Sequence, residues 1–145
     1  MAGTIALPVQ AQGISPTQTD IMKKLIVQYG EKAKAEASKN AKGKPFAAEE
    51  FSAENGRQIY LMSRNWEGDE MPACAACHTD DPKKEGTHNQ SKKPIKPLAP
   101  AVSPERFTSV EKVEKNFSKH CRDLYSRDCT SMEKGNFLTY LLSVK

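Results

Sequence analysis

Apolar residues return at helical spacing along much of the chain, with polar stretches between. Ile21, Leu25, Ile26 and Tyr29 form the first set, behind Ser15-Pro16. Serine is a good helix N-cap and proline suits the first helical position, so a long helix is expected to open there. Its stripe fades into "EKAKAEASKNAKGK", a lysine- and alanine-rich tail that helix propensity supports until Gly43 and Pro45. A second helix is expected from about Glu49 to Ser63, with Phe51, Ile59, Tyr60 and Met62 near one face. Gly56 in its middle costs about 1 kcal/mol against alanine, which the close approach of another helix would explain. Thr108 with Glu111 reads as a capping box before "VEKVEKNFSKH", whose stripe is Val110, Val113 and Phe117. Thr130 with Glu133 reads as a second box, before a last helix that buries Phe137, Leu138, Leu141 and Leu142. Nothing alternates as a strand and no repeat appears, so the expected class is all-α.

Two stretches lack periodicity. Residues 64–72 read as a loop. Residues 80–104 hold Pro82, Pro94, Pro97, Pro100 and Pro104, which excludes regular helix or central strand. A loop that long in a small domain has something to wrap. The composition agrees. A chain of 145 residues suggests one domain, yet only 37% are hydrophobic, and the mean hydropathy is −0.68. A bound apolar prosthetic group would help fill so lean a core. The net charge of +4, from 22 basic and 18 acidic residues, carries no nucleic-acid footprint. No apolar run approaches the ~20 residues of a transmembrane helix, so no membrane insertion is expected. Residues 1–14 are set apart from the domain at 15–145. They are apolar and hold Val9-Gln10-Ala11, which resembles a signal-peptidase site. They read as a trimmed signal remnant, or else a disordered tail, and the first reading places the domain in the periplasm.

Residues 71–81 run "MPACAACHTDD". Cys74, Cys77 and His78 suit three chemistries. C-x-x-C-H is the attachment signature of c-type haem: two thioethers hold the porphyrin and the adjacent histidine becomes the proximal iron ligand. Structural zinc wants four ligands, and Cys121, Cys129, His88 and His120 do not repeat the pair spacing. A dithiol redox centre usually sits in a βαβ fold, which this chain lacks. Covalent haem c, one per chain, is the reading adopted. It leaves Cys121 and Cys129, which paired would close a short loop and unpaired would be inert thiols.

The iron then has an open sixth position or a second ligand. Methionine is the common choice, but after the motif only Met132 remains, in the first turn of the last helix. His88 sits among lysines in "KKEGTHNQSKK" and reads as a surface residue. His120 shares a helix face with Val113 and Phe117, which suits a distal ligand. The alternative for it is a cation favoured by a helix C-terminus. Lys83, Lys84, Lys92, Lys93 and Lys96 form either a solvated loop or a docking face for an acidic redox partner.

"SAENGRQIYLM", "CAACH" and "IKPLAPAVSPERFTSVEKVEKNFSKHCRDLYSRDCTSMEKGNFLTYLL" together resemble the family of cytochrome c'' and the sphaeroides haem protein, over roughly residues 50–145. The resemblance implies a monohaem helical fold on a class I cytochrome c core, with the helices around Gly56–Tyr60 and Phe137–Tyr140 crossing. It implies a disulfide between Cys121 and Cys129, beside the distal ligand. His120 occupies the ligand position, as in cytochrome c'', where the sphaeroides haem protein has asparagine. An electron carrier and not an enzyme is implied, whose distal histidine leaves the iron on reduction and takes a proton. The implied partners are other redox proteins, a multihaem or membrane cytochrome among them. The alternative is a haem protein that binds or senses nitric oxide, carbon monoxide or oxygen in its reduced state. An enzymatic rival would need an acid–base group at the open iron, with Arg122, Asp123 and Arg127 as the nearby candidates.

Overall fold

The computed structural model describes residues 13–40, 51–61, 64–66, 69–71 and 73–145. Residues 1–12 of the signal remnant and the Gly43–Pro45 stop lie outside those residues. The long helix α1 spans Pro16–Asn40. Its N-terminus is a capping box: Ser15 Oγ accepts from the Gln18 amide at 3.1 Å, and Gln18 Oε1 accepts from the Ser15 amide at 3.0 Å. Helix α2 is Ala53–Leu61, so residues 51 and 52 of the expected Glu49–Ser63 helix precede it, while residues 49, 50, 62 and 63 lie outside the described residues. Residues 64–72, expected to be a loop, contain an antiparallel hairpin: β1 at Arg64–Trp66 pairs with β2 at Asp69–Met71. The single turn α3, Ala75–His78, carries the cysteine motif. In the proline-rich segment β3 at Gly86–Thr87 pairs with β4 at Pro94–Ile95. These strands correct the strand-free expectation, although the fold remains mostly helical.

Helix α4 is Val110–Tyr125 and α5 is Ser131–Ser143. The cap of α4 differs from the expected one. Ser109, not Thr108, accepts from the Lys112 amide, while Thr108 Oγ1 donates to Glu105 O. Helix α4 also runs past His120 to a left-handed Ser126, so His120 is not a helix end. The Thr130–Glu133 box of α5 forms as expected.

The core lies where α1, α2 and α5 meet. Met22, Leu25, Tyr60, Leu138 and Leu141 are fully buried there, and Tyr29 nearly so. Gly56 explains itself: a Cβ on it would stand 2.0 Å from Asn136 O and 2.6 Å from Tyr140 Cβ. Helices α2 and α5 therefore cross backbone to backbone, and the Tyr60 and Tyr140 rings pack with centroids 5.7 Å apart. From α1, the buried Gln18 amide reaches the carbonyls of Ser103 at 2.9 Å and Arg106 at 2.8 Å, with Pro100 at 3.2 Å. One side chain thereby ties the N-terminal helix to the long loop.

Candidate haem site

Helix α3 closes on itself through Cys74: its carbonyl accepts from the amides of Cys77 at 3.2 Å and His78 at 3.0 Å. In such a turn residues three apart share a side, which brings the two sulfurs together. Both thiols are free. Burial pushes the Cys74 thiol up to about 11. Structural zinc wants four ligands, and among the described residues no group of three or more His, Cys, Asp or Glu side chains could hold a metal ion.

Three contacts fix the end of α3. Tyr60 Oη lies 3.2 Å from His78 O and 2.5 Å from Thr79 O. Thr79 adopts a left-handed φ of 66°, and its Oγ1 donates to Asp81 O at 2.9 Å. From β3, the Gly86 backbone lies against the motif so tightly that a Cβ would be 2.1 Å from Cys77 O. The His78 ring is left with a buried Nδ1 that has no partner. Burial first, then the Arg106 charge and His120, lower its pKa to about 4.

His120 projects from α4 with Nδ1 3.0 Å from Asn116 O. A carbonyl only accepts, so Nδ1 carries the proton and Nε2 keeps its lone pair, the tautomer that ligates metals. The residue is exposed, but crowding by neighbouring protein lowers its pKa, with the Lys119 and Arg106 charges adding to the shift and the Asn116 carbonyl and Asp123 opposing it. Arg106 thus acts on both histidines. Its Nε donates to Pro97 O at 2.8 Å and Nη2 to Lys96 O at 3.0 Å.

Cys121 and Cys129 are joined by a disulfide with Cα atoms 5.6 Å apart. Their spacing of eight, with Thr130 after Cys129, is no haem-attachment motif. Arg122 pairs with Asp128 at 3.0 Å and Arg127 with Glu133 at 2.8 Å, so these arginines are committed to acids. His88 is exposed and caps its own hairpin, its Nδ1 accepting from the amides of Gln90 at 3.2 Å and Ser91 at 3.1 Å. Met132 remains in the first turn of α5.

Residues 46–141 match a family described as a domain of unknown function, DUF1924. Cytochrome c'' of Methylophilus methylotrophus is 39% identical over 108 residues, 74% of this chain and 66% of the relative. The cytochrome c-type protein SHP of Cereibacter sphaeroides is 37% identical over 89 residues, 61% of this chain and 68% of the relative. The chain belongs to the cytochrome c''/SHP family. It spans about two thirds of the length of these curated relatives.

Among solved structures, oxidised cytochrome c'' from M. methylotrophus aligns with a TM-score of 0.73 at 35% identity, over 87% of this chain and 96% of that one. That share exceeds the family segment and so takes in part of α1. A solution structure of cytochrome c'', concerned with haem-ligand detachment, gives 0.72 at 35% identity over 86% and 94%. Oxidised SHP, an oxygen-binding cytochrome c, gives 0.65 at 32% identity over 83% and 94%.

As a c-type cytochrome the chain carries haem c, covalently attached. The residues present fit that group: two free thiols on one helical turn, a half-buried imidazole with an unpaired Nδ1, and a second imidazole held in the ligating tautomer. The sequence reading missed Tyr60 as the anchor of α3 and Arg106 as the charge beside both histidines. Tyr60 was visible there only as a core residue and Arg106 only inside "RFT".

Proposed function

We propose that this chain is a periplasmic electron-transfer cytochrome, with Cys74 and Cys77 as thioether residues, His78 as proximal ligand and His120 as distal ligand. Haem, when bound, supplies a one-electron redox centre. His78 serves as the fixed side, since Tyr60, Thr79 and Gly86 hold the backbone around it. His120 serves as the movable side: it is exposed, and its ring makes one hydrogen bond, to its own helix. That bond is the observation that carries the reading, because it fixes Nε2 as the free ligating atom in a chain of this family.

His120 would be held by the haem in the oxidised state and released on reduction, and its freed Nε2 would then accept a proton. A solution structure of the relative cytochrome c'' addresses such ligand detachment. Electron uptake then favours proton uptake, so the midpoint potential falls as pH rises, by up to about 59 mV per pH unit for one electron. Potentiometric titration from about pH 5 to pH 9 tests this, across the range in which histidine titrates. A flat profile, with both oxidation states six-coordinate, rejects the proton coupling.

The exposed Lys83, Lys84, Lys92, Lys93 and Lys96 lie on and around the β3–β4 hairpin, which touches the haem motif through Gly86. They offer a docking face to an acidic redox partner, a multihaem or membrane cytochrome being the kind that kinship suggests. Complementary charge speeds association and makes it sensitive to salt.

A second reading has its own support: SHP is an oxygen-binding cytochrome c. A reduced iron vacated by His120 would take oxygen, carbon monoxide or nitric oxide. The reduced spectrum under carbon monoxide separates a permanently ligated carrier from this gas binder. An enzymatic role would need an acid–base group at the open position, and Arg122 and Arg127 are turned to Asp128 and Glu133.

A further inference from the structure

Helices α1, α4 and α5 enclose a cavity of about 550 Å³ that opens to solvent. Cys74, Cys77, His78 and His120 do not line it, but Cys129 does. The cavity therefore meets the disulfide at Cys129. Cys129 is half-buried at the cavity wall, whereas Cys121 is 5% exposed and faces the core.

The wall is charged. Lys134 pairs with Glu114 at 3.3 Å and Arg122 with Asp128 at 3.0 Å, which cancels both acids. Glu36 accepts from Ser131 Oγ at 2.9 Å and keeps its charge. Lys32 and Lys115 pair with no acid among the described residues. The lining side chains balance, three lysines against Glu36, Glu114 and Asp128, and Arg122, paired with Asp128 from outside the lining, adds one positive charge at the rim, which favours an anionic visitor.

We infer that this cavity is a thiol-exchange site, where a small anionic thiol reaches Sγ of Cys129. The incoming thiolate forms a bond to that sulfur. The Cys121–Cys129 bond breaks, and its electron pair leaves on Cys121. A second thiolate attacks the incoming sulfur of the mixed disulfide, releasing the small-molecule disulfide and the Cys129 thiolate. Two thiols are oxidised, the cystine takes up two electrons, and the protons lost by the thiols return to the cysteines through water.

Access selects Cys129 for the first attack. The leaving Cys121 sits near the C-terminal end of α4, where the helix dipole disfavours an anion, so this step is slow. The second step is easier, because Cys129 directly precedes the N-cap Thr130 of α5, where a thiolate is favoured. Cys121 directly follows His120, so opening the bond unties the turn that carries the proposed distal ligand. That consequence rests on the function proposed above; the exchange itself does not.

The test uses holoprotein at low salt with 2-mercaptoethanesulfonate, an anion, and cysteamine, a cation, at equal thiolate concentration. Loss of the disulfide is counted by iodoacetamide alkylation and intact mass. The sulfonate is expected to react roughly threefold faster or more, with the gap narrowing at about 0.5 M salt. Ser118→Trp fills the cavity from α4 and is expected to slow both thiols several-fold. If circular dichroism shows that variant misfolded, Lys115→Trp on the same wall replaces it. The inference is overturned if cysteamine keeps pace in the native protein, if a folded cavity-filled variant reacts at the native rate, or if neither thiol opens the bond.

Discussion

The phenol of Tyr60 bridges α2 to the backbone that follows the haem motif: its Oη lies 3.2 Å from His78 O and 2.5 Å from Thr79 O. One hydroxyl proton serves two carbonyls, and the residue is fully buried. Tyr60→Phe removes the donor and leaves both acceptors in an apolar setting. The expected cost is about 1–3 kcal/mol, read from denaturant unfolding of holoprotein. The electron paramagnetic resonance signal of the oxidised form should also broaden, as His78 loses its fixed orientation. An unaltered signal would mean that Tyr60 supports the fold but not the ligand.

Gly56→Ala places a methyl group 2.0 Å from Asn136 O, and backbone cannot step aside as a long side chain can. Alanine gains about 1 kcal/mol of helix propensity over glycine, yet overpacking at a helix crossing costs about 1–3 kcal/mol or more. Net destabilisation is expected, as a lower urea midpoint. A variant as stable as the native chain would show that α2 and α5 can part.

His120→Ala deletes the proposed distal ligand without touching the thioether residues. The oxidised protein should keep its haem through denaturing electrophoresis and turn from low-spin to high-spin. Added imidazole should restore the low-spin spectrum. Persistence of the low-spin form without imidazole would assign the sixth position to another residue.

Acid should act late on the proximal side. Burial, then the charges of Arg106 and His120, hold His78 near a pKa of about 4, against about 6.5 for histidine in an unfolded chain. The folded value is the lower one. The stabilisation from the neutral ring is therefore complete above about 6.5 and lost as pH falls through about 4. Arg106→Gln removes a charge that depresses both histidines, so the acid transition of the visible spectrum should move to higher pH. A transition that stays in place would remove Arg106 from the electrostatics of the site.

The four longer helices were legible because their buried faces repeat at helical spacing, and Gly56 announced its crossing by being costly anywhere else. The haem motif was legible as a local string. The hairpins were not, since strands of two or three residues are too short to show alternation. The end of α4 was misplaced at His120 because the apolar stripe of Val113 and Phe117 runs out there, although "CRDLY" contains no breaker and the helix stops only where Ser126 turns left-handed. Gln18 shows a different limit. Its capping half lies within three residues of Ser15, but its other half reaches carbonyls 82 to 88 positions away, which no local pattern encodes.

Cys74 is partly buried and packs against the core cluster. A thioether at that sulfur would tie the porphyrin to the same edge of the core. Attachment of the tetrapyrrole and closure of the helices are therefore coupled events, and an attachment-deficient chain would leave that edge of the core incomplete.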